Sequence, residues 1–128
     1  LRHAAEVFLS PYTPHHTRID VTQLQRMVEA GVLAEGARVE LIDGELIDMA
    51  PIGPAHMFAV NTLNRLFFEA GAHKLGIVAV QNAVVLSQIT CLQPDLVLLR
   101  PREDGYRSAS PQGRDALLVI EVADSTYR

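Results

Sequence analysis

Tryptophan is missing from this chain, lysine occurs once, at Lys74, and cysteine once, at Cys91. Each scarcity excludes something. A nonspecific nucleic-acid coat protein neutralises phosphates with clustered Lys and Arg, and a chain with a net charge of −4 does not supply that. A nuclease, whose basic residues act locally, is still allowed. One cysteine cannot staple the fold, and Cys91 reads as an inert, packed thiol in a reducing, cytoplasmic compartment. Aromatics at 5% are too few for the lined cleft a glycosidase wants, whatever its carboxylates. No apolar run approaches the roughly 20 residues of a membrane helix, and no leader pattern opens the chain, so neither a membrane nor secretion is expected. Nucleophile elbow, CxxC, HExxH and P-loop are all lacking. The chain opens at Leu1 and closes at Arg128 just past an apolar run, which predicts a single domain over 1–128 that lacks its C-terminal part.

What is present is a globular balance, 48% hydrophobic and 20% charged, enough at this length for a real core. Residues 1–18 show no sustained period, and Pro11, Pro14 and the adjacent His15 and His16 predict a peripheral segment without a metal site. Asp20, with Gln23 three residues on, predicts a helix start, with Leu24, Met27 and Val28 as its apolar side and Gly31 as its stop. Around Asp43-Gly44, two alternating runs predict a β-hairpin on a two-residue turn. That turn sets Ile42 opposite Glu45, Leu41 opposite Leu46, Glu40 opposite Ile47 and Val39 opposite Asp48. Glu40 then lies mid-strand among isoleucines, where a solvated and a functional carboxylate are equally allowed, while Glu45 beside the turn reads as solvated. The longest helix follows Pro54, with His56, Val60, Leu63, Phe67 and Ala70 on one stripe and Gly71 or Gly76 to end it. Ile77 to Val80 and Ala83 to Ile89 read as two half-exposed strands joined through Gln81-Asn82. An α+β or mixed α/β domain results, its sheet covered by the long helix.

The most informative stretch runs from Gln93 to Val122. Leu96-Val97-Leu98-Leu99 and Leu117-Leu118-Val119-Ile120 are unbroken apolar runs, the pattern of strands buried on both faces. Between them, Arg100 to Asp115 holds two prolines and two glycines, compatible with an antiparallel return or a crossover. If the strands pair antiparallel, Asp95 opens one and Glu121 closes the other, so both acids reach the same sheet edge. Two carboxylates converging there are costly unless they share a cation or a proton. Carboxylates from three strands, Glu40, Asp95 and Glu121, suit Mg²⁺ or Mn²⁺, ions that activate water and polarise phosphoryl oxygen. His56, at the helix N-terminus, reads more readily as a satisfied packing residue than as a functional one.

Four segments in order also carry a family resemblance: Val39-Glu40-Leu41-Ile42-Asp43-Gly44-Glu45; Met49-Ala50-Pro51 with His56; Gln93-Pro94-Asp95-Leu96-Val97; and Val119-Ile120-Glu121-Val122-Ala123-Asp124-Ser125-Thr126. Over residues 19–126 the chain resembles the Uma-two family of restriction-endonuclease-like proteins, within the PD-(D/E)XK nuclease superfamily. The resemblance implies a restriction-endonuclease-like mixed central sheet flanked by helices. It also implies a Mg²⁺- or Mn²⁺-dependent endonuclease acting on nucleic acid, DNA in particular, with a homodimer suited to double-strand cuts. Asp95 and Glu121 would be metal ligands, the Val122 carbonyl a backbone ligand, and Glu40 the early glutamate completing the cluster. His56 matches a recurrent histidine. The chain departs from the pattern at Ala123, where the superfamily has its lysine. The implied substitute lies beyond Arg128, since Lys74, in the tail of the long helix, is a poor one. A catalytically inactive nuclease-fold scaffold that binds nucleic acid or dimerises is the competing expectation, and hydrolysis of another phosphoester is a third.

Overall fold

The computed structural model describes residues 5, 11–34 and 36–123. The remainder, including the expected Asp124-Ser125-Thr126 end of the last segment and most of the first ten positions, lies outside the described residues. Residues 11–18 run without regular structure and exposed. Helix α1 (Val21–Glu29) starts on Asp20, whose side chain accepts from the Gln23 N–H while the Gln23 side chain accepts from the Asp20 N–H. This reciprocal pair satisfies two amides that a helix start otherwise leaves without a partner.

Strands β1 (Val39–Ile42) and β2 (Glu45–Asp48) form the hairpin in the register the Asp43-Gly44 turn dictates, Ile42 facing Glu45 through Val39 facing Asp48. Both turn residues take positive φ, 50° at Asp43 and 82° at Gly44, as a turn matched to strand twist requires. Gly44 is buried. Its N–H donates to the Ile89 carbonyl at 2.8 Å, and its own carbonyl accepts from Ile19 N–H at 2.9 Å. A side chain there would place Cβ 2.6 Å from Cβ of Arg18.

Helix α2 (Pro54–Glu69) has Pro54 in its first turn and ends before Gly71, whose φ of 83° is left-handed. The expected apolar stripe is buried only at His56 and Val60; Leu63 and Phe67 are half-buried and Ala70 is exposed. A single 3₁₀ turn (Ala72–Lys74) leads into β3 (Ile77–Val80). Strands β4 (Val84–Ser87), β5 (Thr90–Leu92), β6 (Leu96–Leu99) and β7 (Ala116–Ile120) complete the set.

These strands divide into two antiparallel sheets, ordered β2-β1-β5-β4 and β3-β6-β7. With two helices, the whole is an α+β arrangement consistent with a restriction-endonuclease-like fold. The single central sheet expected from the sequence is thus resolved into two. Gln81-Asn82 is not a hairpin turn: β3 pairs with β6, and β4 pairs with β5 across Gln88-Ile89. A register shift between Val85 and Ser87 breaks the alternation that made 83–89 look like one strand.

The core sits on β6. Leu96 and Val97 are fully buried, Leu98 and Leu99 nearly so, because β6 is flanked by a strand on each side and covered on both faces. Each such side chain contributes about 1.5–3 kcal/mol relative to exposure. β7 does not match the expectation of burial on both faces. Leu117, Leu118 and Val119 are 44%, 47% and 50% exposed, since β7 has a strand on one side only among the described residues.

Candidate active site

Register places the acids. Leu96 faces Ile120 in the β6–β7 pair, so Asp95 and Glu121, one residue beyond each, arrive together at one edge of the sheet. On the other flank Val80 faces Leu96, which brings Gln81 beside Asp95. The sequence explains the sharp stop: Pro94, buried just before Asp95, has no N–H to continue a ladder.

Asp95 is 4% exposed, and each of its two carboxylate oxygens faces a donor. Nε2 of His56 lies 2.8 Å from Oδ1, and the Val122 N–H donates to Oδ2 at 2.7 Å. Burial alone would push its pKa up; the Val122 N–H, the His56 ring and the Gln81 carboxamide outweigh burial and hold it below the ordinary value. An ionised carboxylate only accepts, so His56 Nε2 carries the hydrogen in this pair. His56 belongs to the first turn of α2, which sets the carboxylate near the positive end of that helix.

Glu121 is exposed, and its pKa moves the opposite way. Partial desolvation, the charge of Asp95 and that of Glu40 all raise it. Glu40 is half-buried on β1 and takes the Gln93 N–H on Oε2 at 2.8 Å. Its carboxylate is felt as far as Cys91, whose thiol is pushed up by burial first and by Glu40 second, which keeps the thiol protonated. The two sheets therefore meet at a shared negative pole. Among the described residues no Lys or Arg ion pair reaches Asp95, Glu121 or Glu40.

Oxygen donors converging without a cation fit a hard divalent ion in their chemistry. Their spacing is open: among the described residues no group of three His, Cys, Asp or Glu side chains is gathered closely enough to hold an ion. Val122, for which the resemblance implies a carbonyl ligand, shows its N–H engaged with Asp95. Lys74 is remote, as expected: the helix between His56 and Glu69 alone spans about 20 Å, and Lys74 lies past its far end.

Two residues at this edge are not among the site residues expected from the sequence, Gln81 and Gln93. Gln93 anchors Glu40 through a backbone amide, which no side-chain pattern encodes. Gln81 was read as part of a turn, although a polar residue closing an apolar strand of β3 was the available signal. A cleft of ≈ 400 Å³ runs from these two glutamines along Ile77 and Ala79 to Tyr106. A larger one, ≈ 680 Å³, lies away from the acids between the start of α1 and β4.

The α+β arrangement, with two carboxylates brought to one sheet edge, is consistent with a restriction-endonuclease-like fold. The family model of Uma2, described as "Putative restriction endonuclease", matches residues 21–128. The chain belongs to that family. No curated protein matches it.

Proposed function

We propose that this chain is the nuclease domain of a Mg²⁺- or Mn²⁺-dependent endonuclease that hydrolyses phosphodiester bonds in DNA. The observation that carries the reading is the Asp95–Glu121 pair: opposed strands deliver both carboxylates to one edge, and the charge of Asp95 helps raise the pKa of Glu121. A divalent ion bound there supplies charge neutralisation and a water of lowered pKa. Asp95 and Glu121 are the residues that would hold it, with Glu40 as a more distant carboxylate. His56 and Val122 fix both oxygens of Asp95, so the carboxylate does not swing when substrate arrives. A bound cation would offset the repulsion from Asp95 and Glu40 that contributes to raising the pKa of Glu121.

A single cysteine, which cannot form a disulfide within the chain, is in keeping with a reducing cytoplasm. Among the described residues no helix is long and apolar enough to cross a membrane. A pair of domains would suit a double-strand cut, and sedimentation on DNA would show whether two chains bind together.

The test is cleavage of supercoiled plasmid with Mn²⁺, by the parent and by Asp95→Ala. Loss of roughly 10²-fold or more in rate, with folding intact, is expected by comparison with removal of one transition-state stabilising group elsewhere. Equal cleavage by the variant sinks the reading. Ala123, at the superfamily's lysine position, favours a second reading, a scaffold that binds DNA without cutting it. In that case the parent protein shifts DNA in a gel but cleaves none with either ion.

A further inference from the structure

Between Leu92, the last residue of β5, and Leu96, the first of β6, the chain leaves one sheet and enters the other. Gln93, Pro94 and Asp95 make that crossing, so whatever holds them sets where the Asp95 carboxylate stands. Pro94 has no N–H, which makes the Gln93 amide the last backbone donor ahead of Asp95. β1 and β5 pair at Leu41 and Cys91, and the same register carried two residues on sets Gln93 opposite Val39. There side chains take over from the ladder. The Gln93 N–H donates to Oε2 of Glu40 at 2.8 Å, and Nε2 of Gln93 donates to the Val39 carbonyl at 3.4 Å. At the far end of the crossing, the Asp95 carbonyl accepts from the Gln81 N–H at 3.1 Å. The crossing is thus pinned to β1 where it starts and to the end of β3 where it finishes.

We propose that Glu40 is a positioning residue: its carboxylate keeps Asp95 in place by accepting the Gln93 N–H, and it does not hold the metal ion. This rests on the metal-dependent reading above, and it departs from the ligand role that the family resemblance implies for Glu40. Oε2 of Glu40 already has its donor, two residues ahead of Asp95. Among the described residues, Glu40, Asp95 and Glu121 are not gathered closely enough to hold one ion together. A charged acceptor also makes a shorter and stronger bond to an amide than a neutral carbonyl does, which suits a crossing held by so few donors. Groups that orient metal ligands change metal affinity by roughly 10–100-fold when removed.

Mn²⁺ titration by calorimetry tests it on the parent, Asp95→Ala, Glu40→Gln and Glu40→Ala, with the NMR signal of the His56 Nε2 proton as a readout that needs no metal. Nε2 lies 2.8 Å from Oδ1 of Asp95, so that signal follows the position of the carboxylate. Glutamine keeps an acceptor for the Gln93 N–H and gives up the charge; alanine gives up both. The expected result is Mn²⁺ binding by the parent, none by Asp95→Ala, affinity weakened roughly 10-fold in Glu40→Ala, and most of that loss restored in Glu40→Gln. The His56 signal shifts in Glu40→Ala and holds its place in Glu40→Gln. Affinity lost equally in both Glu40 variants, with the His56 signal unmoved, overturns the proposal and makes Glu40 a ligand of the ion. Parent-like affinity and an unmoved His56 signal in Glu40→Ala overturn it too, and leave the metal site standing. Should the alanine variant not fold, Glu40→Gln decides alone, and full loss of affinity there overturns the proposal. If the parent binds no Mn²⁺, the metal reading falls, and the His56 signal still decides whether Glu40 places Asp95.

Discussion

At one end of the β3-β6-β7 sheet, Asp104 lies in the fork of Arg102, with Nε 2.6 Å from Oδ1 and Nη2 2.9 Å from Oδ2. Ser108 donates to the same carboxylate, and the guanidinium lies 4.7 Å above the Tyr106 ring. At the other end, Asp95 receives a histidine ring and a backbone N–H and, among the described residues, no arginine. Both aspartates are held below the ordinary pKa, but by different means. For Asp104 the cause is Arg102 first and Ser108 second, at the surface, where the charge is neutralised on the spot. For Asp95, in a buried place, the Val122 N–H and the His56 ring, by hydrogen bond and by charge, outweigh the burial that would raise it. A carboxylate that ties a loop is closed by a cation of the chain itself. One that is oriented by a histidine ring and a backbone N–H, with a second carboxylate beside it, is open to a cation from outside.

Substitutions sharpen this contrast. The largest effect is expected at Asp95. Its folded pKa lies below the ordinary 3.8, so the stabilisation it provides is fully present above that value and is lost as pH falls through the lowered one. Asp95→Asn, which puts an amide against the His56 and Val122 donors, should cost about 1–3 kcal/mol at neutral pH in urea unfolding, and the loss should shrink in acid. An intermediate effect of opposite sign is expected at Glu121. Its pKa is raised above 4.5, so the folded state binds more protons and stability falls as pH rises from that value through the raised one. Glu121→Gln should raise the melting temperature of the metal-free protein at neutral pH and leave it unchanged well below pH 4.5. A Glu121→Gln protein less stable than the parent would show that no repulsion exists to relieve. The smallest effect belongs to Asp104→Asn. Exposed ion pairs contribute little and are screened by salt, so melting should shift slightly, less so in high salt, with Mn²⁺ affinity untouched. A large loss of Mn²⁺ affinity there would dissolve the distinction between the two ends.

Much of this was legible in the residues, unevenly. The hairpin register followed from Asp43-Gly44, because one short turn with two positive φ angles fixes every pair behind it. The meeting of Asp95 and Glu121 followed from two apolar runs that each carry a carboxylate at the proper end. Burial was less legible. β6 and β7 have nearly the same composition, yet one is the core and the other an exposed edge, since composition does not say how many neighbours a strand has. The division into two sheets was hidden by β5, three residues long, and by a register shift that made β4 and its turn look continuous. Gln81 was hidden for another reason. Its place beside Asp95 comes from the strand pairing, which leaves no mark on residue type beyond one polar side chain at a strand end.

Gly44 ties together segments that the chain order keeps far apart. Its carbonyl holds Ile19 and its N–H holds Ile89, while Val21 donates to Gln88 at 2.8 Å next door. A two-stranded hairpin on its own is marginal in water and would fray from its open end. Here the tip is knotted into the approach to α1 and into the bend between β4 and β5. Opening it exposes backbone groups in three places at once, so the least costly route is for all three to come apart as one unit. The hairpin that the sequence specifies most locally therefore loses its independence, and its amides exchange with solvent on the clock of the larger unit.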